Sequence, residues 1–234
     1  MKTVIFAGGR GVRLRPLTYT IPKPLLPVGD TPILEEIVAR LKAQGFDDLV
    51  IAVGYRAELI ETYFRDGAHL GVSIEYVRET EPLGTAGPLG LVRDQCVLPA
   101  GEALLAMNGD ILTDLDMHAL LDFHREGGFE LTIATRTFRL QHPYGVIRTE
   151  GDRIVEIIEK PIETDTVSAG IYVITPEALA RVPAGRFFDM PDLVNACIAA
   201  GSAVGSFLFV GEWLSIDRPE QLEDAGRILA ERHA

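Results

Sequence analysis

Thr3 to Ala7 is a run of strand length and apolar character cut off by Gly8-Gly9, and close variants of that unit recur through the first half of the chain. Leu49 to Val53, Ser73 to Val77 and Ala103 to Met107 are similar runs, and segments with helical spacing stand between them. The first of these carries Ile33, Leu34, Ile37, Val38 and Leu41. It is entered by Thr31 as a cap and Pro32 in the first turn, and stopped at Gly45. Ala57 to Phe64 predicts a second helix, and a third follows the loop Glu79 to Gly84 and runs toward Asp94. Strands separated by helices at this pitch form a mostly parallel sheet with helices on both faces. The alternation then loosens. Leu131 to Arg136, Gly145 to Thr149, Ile154 to Ile158 and Ser168 to Ile174 read as strands, with Glu150-Gly151-Asp152 as a hairpin turn. Asp189 to Ala200 reads as a helix, Val204 to Val210 as a last strand and Pro219 to Arg232 as a closing helix. The expected architecture is α/β: a Rossmann-like mixed sheet, mostly parallel with an antiparallel portion. With no repeat, low-complexity segment or linker, one domain over residues 1–234 is expected.

Charge is distributed unevenly. The first 29 residues hold five basic side chains and no carboxylate, in a chain of 22 Lys and Arg against 34 Asp and Glu, so the rest carries a net −17. A cationic, glycine-rich segment in an anionic body suits a compact polyanion such as a triphosphate. The same balance argues against nucleic acid, whose phosphates repel a net anion without a broad basic face. Cys96 and Cys197 lack zinc or redox spacing and read as free thiols of a reducing compartment. The amino terminus runs directly into an apolar strand, with no signal peptide and no run long enough to span a bilayer, so a cytoplasmic protein is expected.

Gly8, Gly9 and Gly11 follow the first strand, where glycines let backbone N–H groups approach phosphate oxygens. No Gly-Lys-Ser/Thr follows, which excludes a Walker loop, and the glycine spacing does not match a dinucleotide fingerprint. The run Ala7 to Thr18, joined to Pro22-Lys23-Pro24-Leu25, resembles the signature of sugar-1-phosphate nucleotidylyltransferases. The resemblance covers nearly the whole chain, through Glu81 to Gly87, Asn108-Gly109-Asp110, Tyr144 to Ile147, Glu159-Lys160-Pro161, Ala169 to Tyr172 and Trp213 to Glu220. Pro82 to Gly87 leans toward mannose- or heptose-1-phosphate guanylyltransferases.

What the resemblance implies is an enzyme of the nucleotide-diphospho-sugar transferase fold that joins an NTP to a sugar 1-phosphate and releases pyrophosphate. Residues 1 to about 115 would bind the nucleotide and the remainder the sugar phosphate. Arg13 and Lys23 would hold the triphosphate as catalytic cations, beside Ala7, Gly8, Gly9, Gly11, Gly84 and Thr85. Glu79 stands where the family reads the base, and a carboxylate suits the adjacent N1–H and N2–H of guanine, which favours GTP. Gly145, Glu159, Lys160, Ser168 and Gly170 would receive the sugar phosphate, and Asp110 would hold Mg²⁺.

Each has a plainer reading. Asp110 can cap its turn, Glu159 and Lys160 can be a solvated pair before Pro161, and Tyr144 and Tyr172 can be core or pocket wall. The family's Trp-x-Asp-Ile-Gly is replaced by Trp213-Leu214-Ser215-Ile216-Asp217, so serine stands at a ligand position. Asp217 either reaches the metal in its place or caps the last helix, with Glu220 completing a capping box; the capping account is favoured. If the expected glycine has positive φ, Asp217 is strained there. Val12 and Ser168 replace a usual threonine and asparagine. The alternatives are a UTP-using uridylyltransferase, a nucleotide-sugar-binding homologue weakened by Ser215, and transfer to a phospho-alcohol with CTP. A homo-oligomer is possible.

Overall fold

The computed structural model describes residues 1–233. Strand β1 (Thr3–Ala7) leads through the glycine loop to a two-residue ladder, β2 (Pro27–Val28) with β3 (Thr31–Pro32), and then to helix α1 (Ile33–Ala43). Thr31 is therefore extended backbone, and Pro32 occupies the cap position without a side-chain hydrogen bond. Ile33, Leu34, Ile37, Val38 and Leu41 fall on one buried face of α1, which is worth about 10 kcal/mol of apolar burial. Gly45 ends the helix at φ 82°, with Gly45 N–H donating to Lys42 O and Phe46 N–H to Leu41 O.

Strand β4 (Asp48–Val53), helix α2 (Ala57–Phe64), strand β5 (Ser73–Arg78) and helix α3 (Gly87–Gln95) follow, then β6 (Leu104–Asn108) and the short β7 (Ile111–Thr113). Helix α4 (Met117–Glu126) is an addition to the sequence reading. Asp116 caps it by accepting from His118 N–H and Ala119 N–H, and Met117, Leu120, Leu121 and His124 are its buried stripe. The long β8 (Leu131–Gln141) and β11 (Ile162–Ile174) enclose the hairpin β9 (Val146–Glu150) and β10 (Arg153–Ile158). Helices α5 (Pro176–Ala180) and α6 (Met190–Ala199), strands β12 (Val204–Leu208) and β13 (Trp213–Ser215), and helix α7 (Pro219–His233) complete the chain.

Seven strands form the main sheet in the order β12-β8-β11-β6-β1-β4-β5. All neighbours are parallel except β11, which runs antiparallel to both β6 and β8. Both faces are buried, as alternation in the central strands requires. Ile5, Leu49, Ile51 and Val53 pack under α1, α2 and α4, while Val4, Val50 and Ala52 pack under α3 and α6. The chain moves from β1 to β4 and β5, then returns to place β6 on the other side of β1. That reversal opens a crevice beyond the carboxyl ends of β1 and β6, the position where open α/β sheets bind ligands.

Candidate active site

That crevice is a cavity of about 860 Å³. Ala7 to Leu14 supply one side, Glu79 to Pro82 with Gly84 and Thr85 another, and Asn108 to Asp110 a third. A Cβ on Gly8 would stand 2.1 Å from Glu79 Oε1, so any side chain there would displace the Glu79 carboxylate. Thr18 braces the loop by donating its hydroxyl to Gly11 O at 2.9 Å. Among the strands, β7 pairs with β13, and Ile216 N–H donates to Asp110 O at 3.0 Å. This small ladder carries Ser215, Ile216 and Asp217 alongside Asp110, although more than a hundred residues separate them.

Four charges meet there. The Lys23 ammonium donates to Asp217 Oδ1 at 2.8 Å and also to Asp110 Oδ2, and Arg13 Nη1 donates to Asp217 Oδ2 at 3.0 Å. Lys23 is nearly buried, whereas the Arg13 guanidinium is 67% exposed and borders the cavity. Burial pushes the Asp217 carboxyl up, but the hydrogen bond and charge of Lys23, with the charge of Arg13, outweigh it and hold it below its ordinary value. Asp110 Oδ1 is buried with no hydrogen-bond partner. Two carboxylates already converging on one cation, one of them with a free oxygen, fit a divalent ion. No group of three or more His, Cys, Asp or Glu among the described residues could hold a metal. The protein would therefore supply two ligands and phosphates or water the rest, the habit of Mg²⁺ at phosphate sites.

The position of Asp217 overturns the favoured capping account. Gln221 Oε1 accepts from Asp217 N–H at 2.8 Å and Arg218 N–H at 2.9 Å, so Gln221 does the work assigned to Glu220. The Asp217 carboxylate is left for the cavity. Only Arg56, Arg65 and Lys160 among described non-glycine residues have positive φ, so Asp217 is not strained. Ser215 Oγ lies 3.5 Å from Asp217 Oδ2, a weak contact at the cavity lining.

The wall that carries Glu79 and Gly84 is a frame of two loops tied together by hydrogen bonds. Phe188 O accepts from both Ala86 N–H and Gly87 N–H, and Phe188 N–H donates to Leu83 O. Thr85 donates its N–H and hydroxyl to Asp189 Oδ1, so both its polar groups are committed within the protein. Glu79 Oε2 accepts from Leu83 N–H at 3.0 Å, and burial, opposed by that bond, raises the Glu79 pKa. Phe187, absent from the sequence reading, is 63% exposed and lines the cavity beside Gly84 and Pro88. Its signal was a Phe-Phe pair in a stretch without strand or helix periodicity.

A family model described as nucleotidyl transferase matches residues 2–232. The chain belongs to the nucleotidyl transferase family. It is 33% identical over 222 residues to the mannose-1-phosphate guanylyltransferase of Mycobacterium tuberculosis (strain ATCC 25618 / H37Rv), a match over 93% of this chain and 61% of that protein. It is 35% identical over 236 residues to the UTP–glucose-1-phosphate uridylyltransferase of Synechocystis sp. (strain ATCC 27184 / PCC 6803 / Kazusa), with 93% and 60% covered. The chain thus spans about three fifths of the length of these relatives. Among solved structures, HddC from Yersinia pseudotuberculosis complexed with GMP-PN superposes with a TM-score of 0.76 over 97% of this chain and 99% of that one. At 22% identity this likeness speaks for the fold.

The residues expected to hold the nucleotide and metal all border the cavity: Ala7, Gly8, Gly9, Gly11, Arg13, Lys23, Glu79, Gly84, Thr85, Asp110 and Asp217. The residues expected to hold the sugar phosphate do not line it. Gly145 and Glu159 lie together at the root of the β9–β10 hairpin, where a Cβ on Gly145 would be 3.1 Å from Glu159 Oε2. Lys160 is exposed and has φ 44°, a left-handed backbone at a position flanked by Pro161. The Ser168 hydroxyl is engaged with the Tyr172 hydroxyl at 3.1 Å and accepts from Gly170 N–H, at an irregularity of β11. Gly170 is the link to the cavity: at φ 73° it lies against Asn108, whose amide a Cβ would meet at 2.7 Å.

Proposed function

We propose that this chain is a sugar-1-phosphate nucleotidylyltransferase that transfers a nucleotidyl group from an NTP, with GTP favoured, to a sugar 1-phosphate and releases pyrophosphate. The observation that carries the reading is the convergence of Arg13, Lys23, Asp110 and Asp217 beside a glycine loop at the sheet's reversal point.

The reaction asks little covalent help of the protein. A phosphate monoester has lost most of its second proton by neutral pH, so its oxygen is already a nucleophile toward the α-phosphorus. The cavity lining contains no His or Cys that would serve as base or covalent carrier. The protein contributes alignment and charge, which together supply on the order of 10 kcal/mol. The glycine loop would present backbone N–H groups to the phosphates, with Arg13 and Lys23 neutralising charge on the α-phosphate and departing pyrophosphate. Both cations are prepaired with carboxylates, so the site is already assembled before ligand arrives. Asp110 and Asp217 would hold Mg²⁺, which when bound neutralises phosphate charge.

Guanine is favoured by the carboxylate of Glu79 beside the base loop and by the guanylyltransferase relatives, while the uridylyltransferase relative keeps UTP as the second reading. The Phe187 ring would stack on the base whichever it is. Gly145, Glu159, Lys160 and Gly170 would form the sugar-phosphate side. Partners are small molecules. Two free cysteines are consistent with a reducing cytoplasm, and no described helix is long and apolar enough to cross a membrane.

The test is a matrix of four NTPs against a panel of sugar 1-phosphates, scored by pyrophosphate release with and without Mg²⁺. Release that requires both substrates and the metal, fastest with GTP, is expected. Nucleotide binding without release in any combination would replace an enzyme with a binding homologue, and restored release in Ser215→Asp would trace that loss to the missing carboxylate.

A further inference from the structure

Three residue pairs join β7 to β13: Trp213 with Thr113, Leu214 with Leu112 and Ser215 with Ile111. Asp110 and Asp217 lie beyond one end of this ladder, and Thr113 and Glu212 stand at the other. So short a two-stranded sheet does not hold its own shape in water. Ile111, Leu112 and Ile216 are buried in the cluster that includes Ile37 and Leu41 of α1, which gives adhesion without direction.

Direction comes from a charge on the same helix. Arg40 Nη1 donates to Thr113 O on β7 and to Glu212 Oε1 at the entry to β13, both at 3.0 Å. One nitrogen thus grips both sides of the ladder. Nε of the same guanidinium donates to Glu36 Oε1 at 2.9 Å, one turn back on α1. Thr113 adds a direct tie, its hydroxyl donating to Glu212 O at 2.7 Å, and Asp114 N–H donates to that carbonyl at 3.3 Å.

Arg40 is 17% exposed and the two carboxylates 16% each. Arg40 Nη2 is buried with no hydrogen-bond partner among the described residues. Desolvating three charges, one of them incompletely satisfied, is a poor way to gain stability, since apolar residues of similar size do as well or better. What a planar, forked guanidinium supplies is geometry. Geometry matters at the opposite end of the ladder. Mg²⁺ demands near-octahedral coordination at about 2.1 Å, so the mutual placement of two carboxylates decides whether both reach it.

We infer that Arg40 is a positioning residue for the metal, holding Asp217 against Asp110 by stapling the far end of the β7–β13 ladder to α1. This rests on the cavity being a Mg²⁺–nucleotide site. Arg40 itself is not part of the cavity lining and acts through the two aspartates.

Calorimetric titration of GTP into the full chain, once in MgCl₂ and once in EDTA, tests this. The ratio of the two affinities measures what the metal adds. In Arg40→Met that ratio should fall about tenfold, the low end of what partners behind metal ligands contribute, with the affinity in EDTA within about threefold of native. Glu36→Gln/Arg40→Met/Glu212→Gln should behave alike. The single variant makes the chain more negative and the triple variant more positive, so a shared loss reports geometry rather than field. A merely structural role would lower Tm and both affinities together and leave the ratio alone. Amide exchange on the native chain needs no variant: Asp114 N–H and Ile216 N–H should exchange as slowly as the amides of β6. Native ratios in folded variants, or fast exchange at both amides, overturn the inference and leave the nucleotide site standing. A native chain whose GTP affinity gains nothing from Mg²⁺ refutes the underlying reading of the cavity, and the inference with it.

Discussion

Lys23→Met removes the charge that holds two carboxylates together while keeping most of the side chain's packing. The oxygens of Asp110 and Asp217 that share the Lys23 nitrogen lie within roughly 5 Å of each other. Two unit charges at that separation repel by about 3 kcal/mol at an effective dielectric of 20. Asp110 and Asp217 are 23% and 27% exposed, so turning toward water relieves part of this and leaves about 2 kcal/mol. For a domain of this size that is a fall of about 4–8 °C in Tm. The pH dependence should change sign. In the native chain Asp217 has a depressed pKa, so its contribution is present above the ordinary carboxylate range and is lost as pH falls through the lower folded value. In Lys23→Met one carboxylate has a raised pKa, and the variant regains stability as pH falls through that range. Magnesium alone, without nucleotide, should also stabilise the variant more than the native chain, because the ion replaces the missing ammonium. Thermal melts across pH, with and without MgCl₂, read all three effects. A variant with the native Tm, indifferent to pH and to magnesium, would refute the reasoning.

Phe187→Ala should raise the KM for NTP by about tenfold with kcat nearly unchanged, the loss of one base–aromatic stack, and Phe187→Tyr should recover it; an unchanged KM would place the ring outside the nucleotide site. Glu79→Gln should lower the ratio of GTP to UTP turnover, and an unaltered ratio would show that backbone groups read the base. Asp217→Asn should lower kcat by about a hundredfold, the effect of losing one group that stabilises charge in the transition state; near-native kcat would return Asp217 to a structural role. Far from the site, the hydrogen bonds of Arg181 to Glu130, with burial opposing and Ser202 assisting, pull the Glu130 pKa down to about 2. Its stabilisation is full above the unfolded carboxylate pKa and is lost as pH falls toward 2. The stability difference between native chain and Glu130→Gln, about 1 kcal/mol after allowance for screening, should therefore shrink over that interval in acid denaturation.

Much of the fold was legible because the first half repeats one rule. Runs such as Leu49 to Val53 are buried on both faces, so they appear as continuous apolar segments, and α1 carries its stripe and its glycine stop in plain view. Helix α4 was not legible in the same way. Its buried stripe includes His124, whose ring bonds the Thr132 hydroxyl at 2.8 Å inside the protein, and a histidine does not read as core. The glycine loop, Lys23 and Asp110 were legible from motif and strand position. Asp217 was not, since an aspartate ahead of a helix serves equally as cap or ligand. Its direction is decided by Gln221 and by the β7–β13 ladder, and such long-range pairing leaves no local mark in sequence. The hairpin β9–β10 was legible from its alternation and its Glu150-Gly151-Asp152 turn, but the outer parts of its flanking strands, Thr137 to Gln141 of β8 and Ile162 to Val167 of β11, were not read as strand, because mostly exposed pairing leaves no buried stripe in the sequence.

The central claim is that the cavity between the glycine loop and the Asp110–Asp217 pair receives a nucleoside triphosphate through Arg13 and Lys23. Calorimetric titration of GTP with Mg²⁺ into the purified chain measures this directly. The account predicts one nucleotide bound per chain, with affinity falling at least tenfold in Arg13→Ala while the Tm of the free protein barely moves. A folded chain that takes up no triphosphate, or binds it equally well without Arg13, would contradict it.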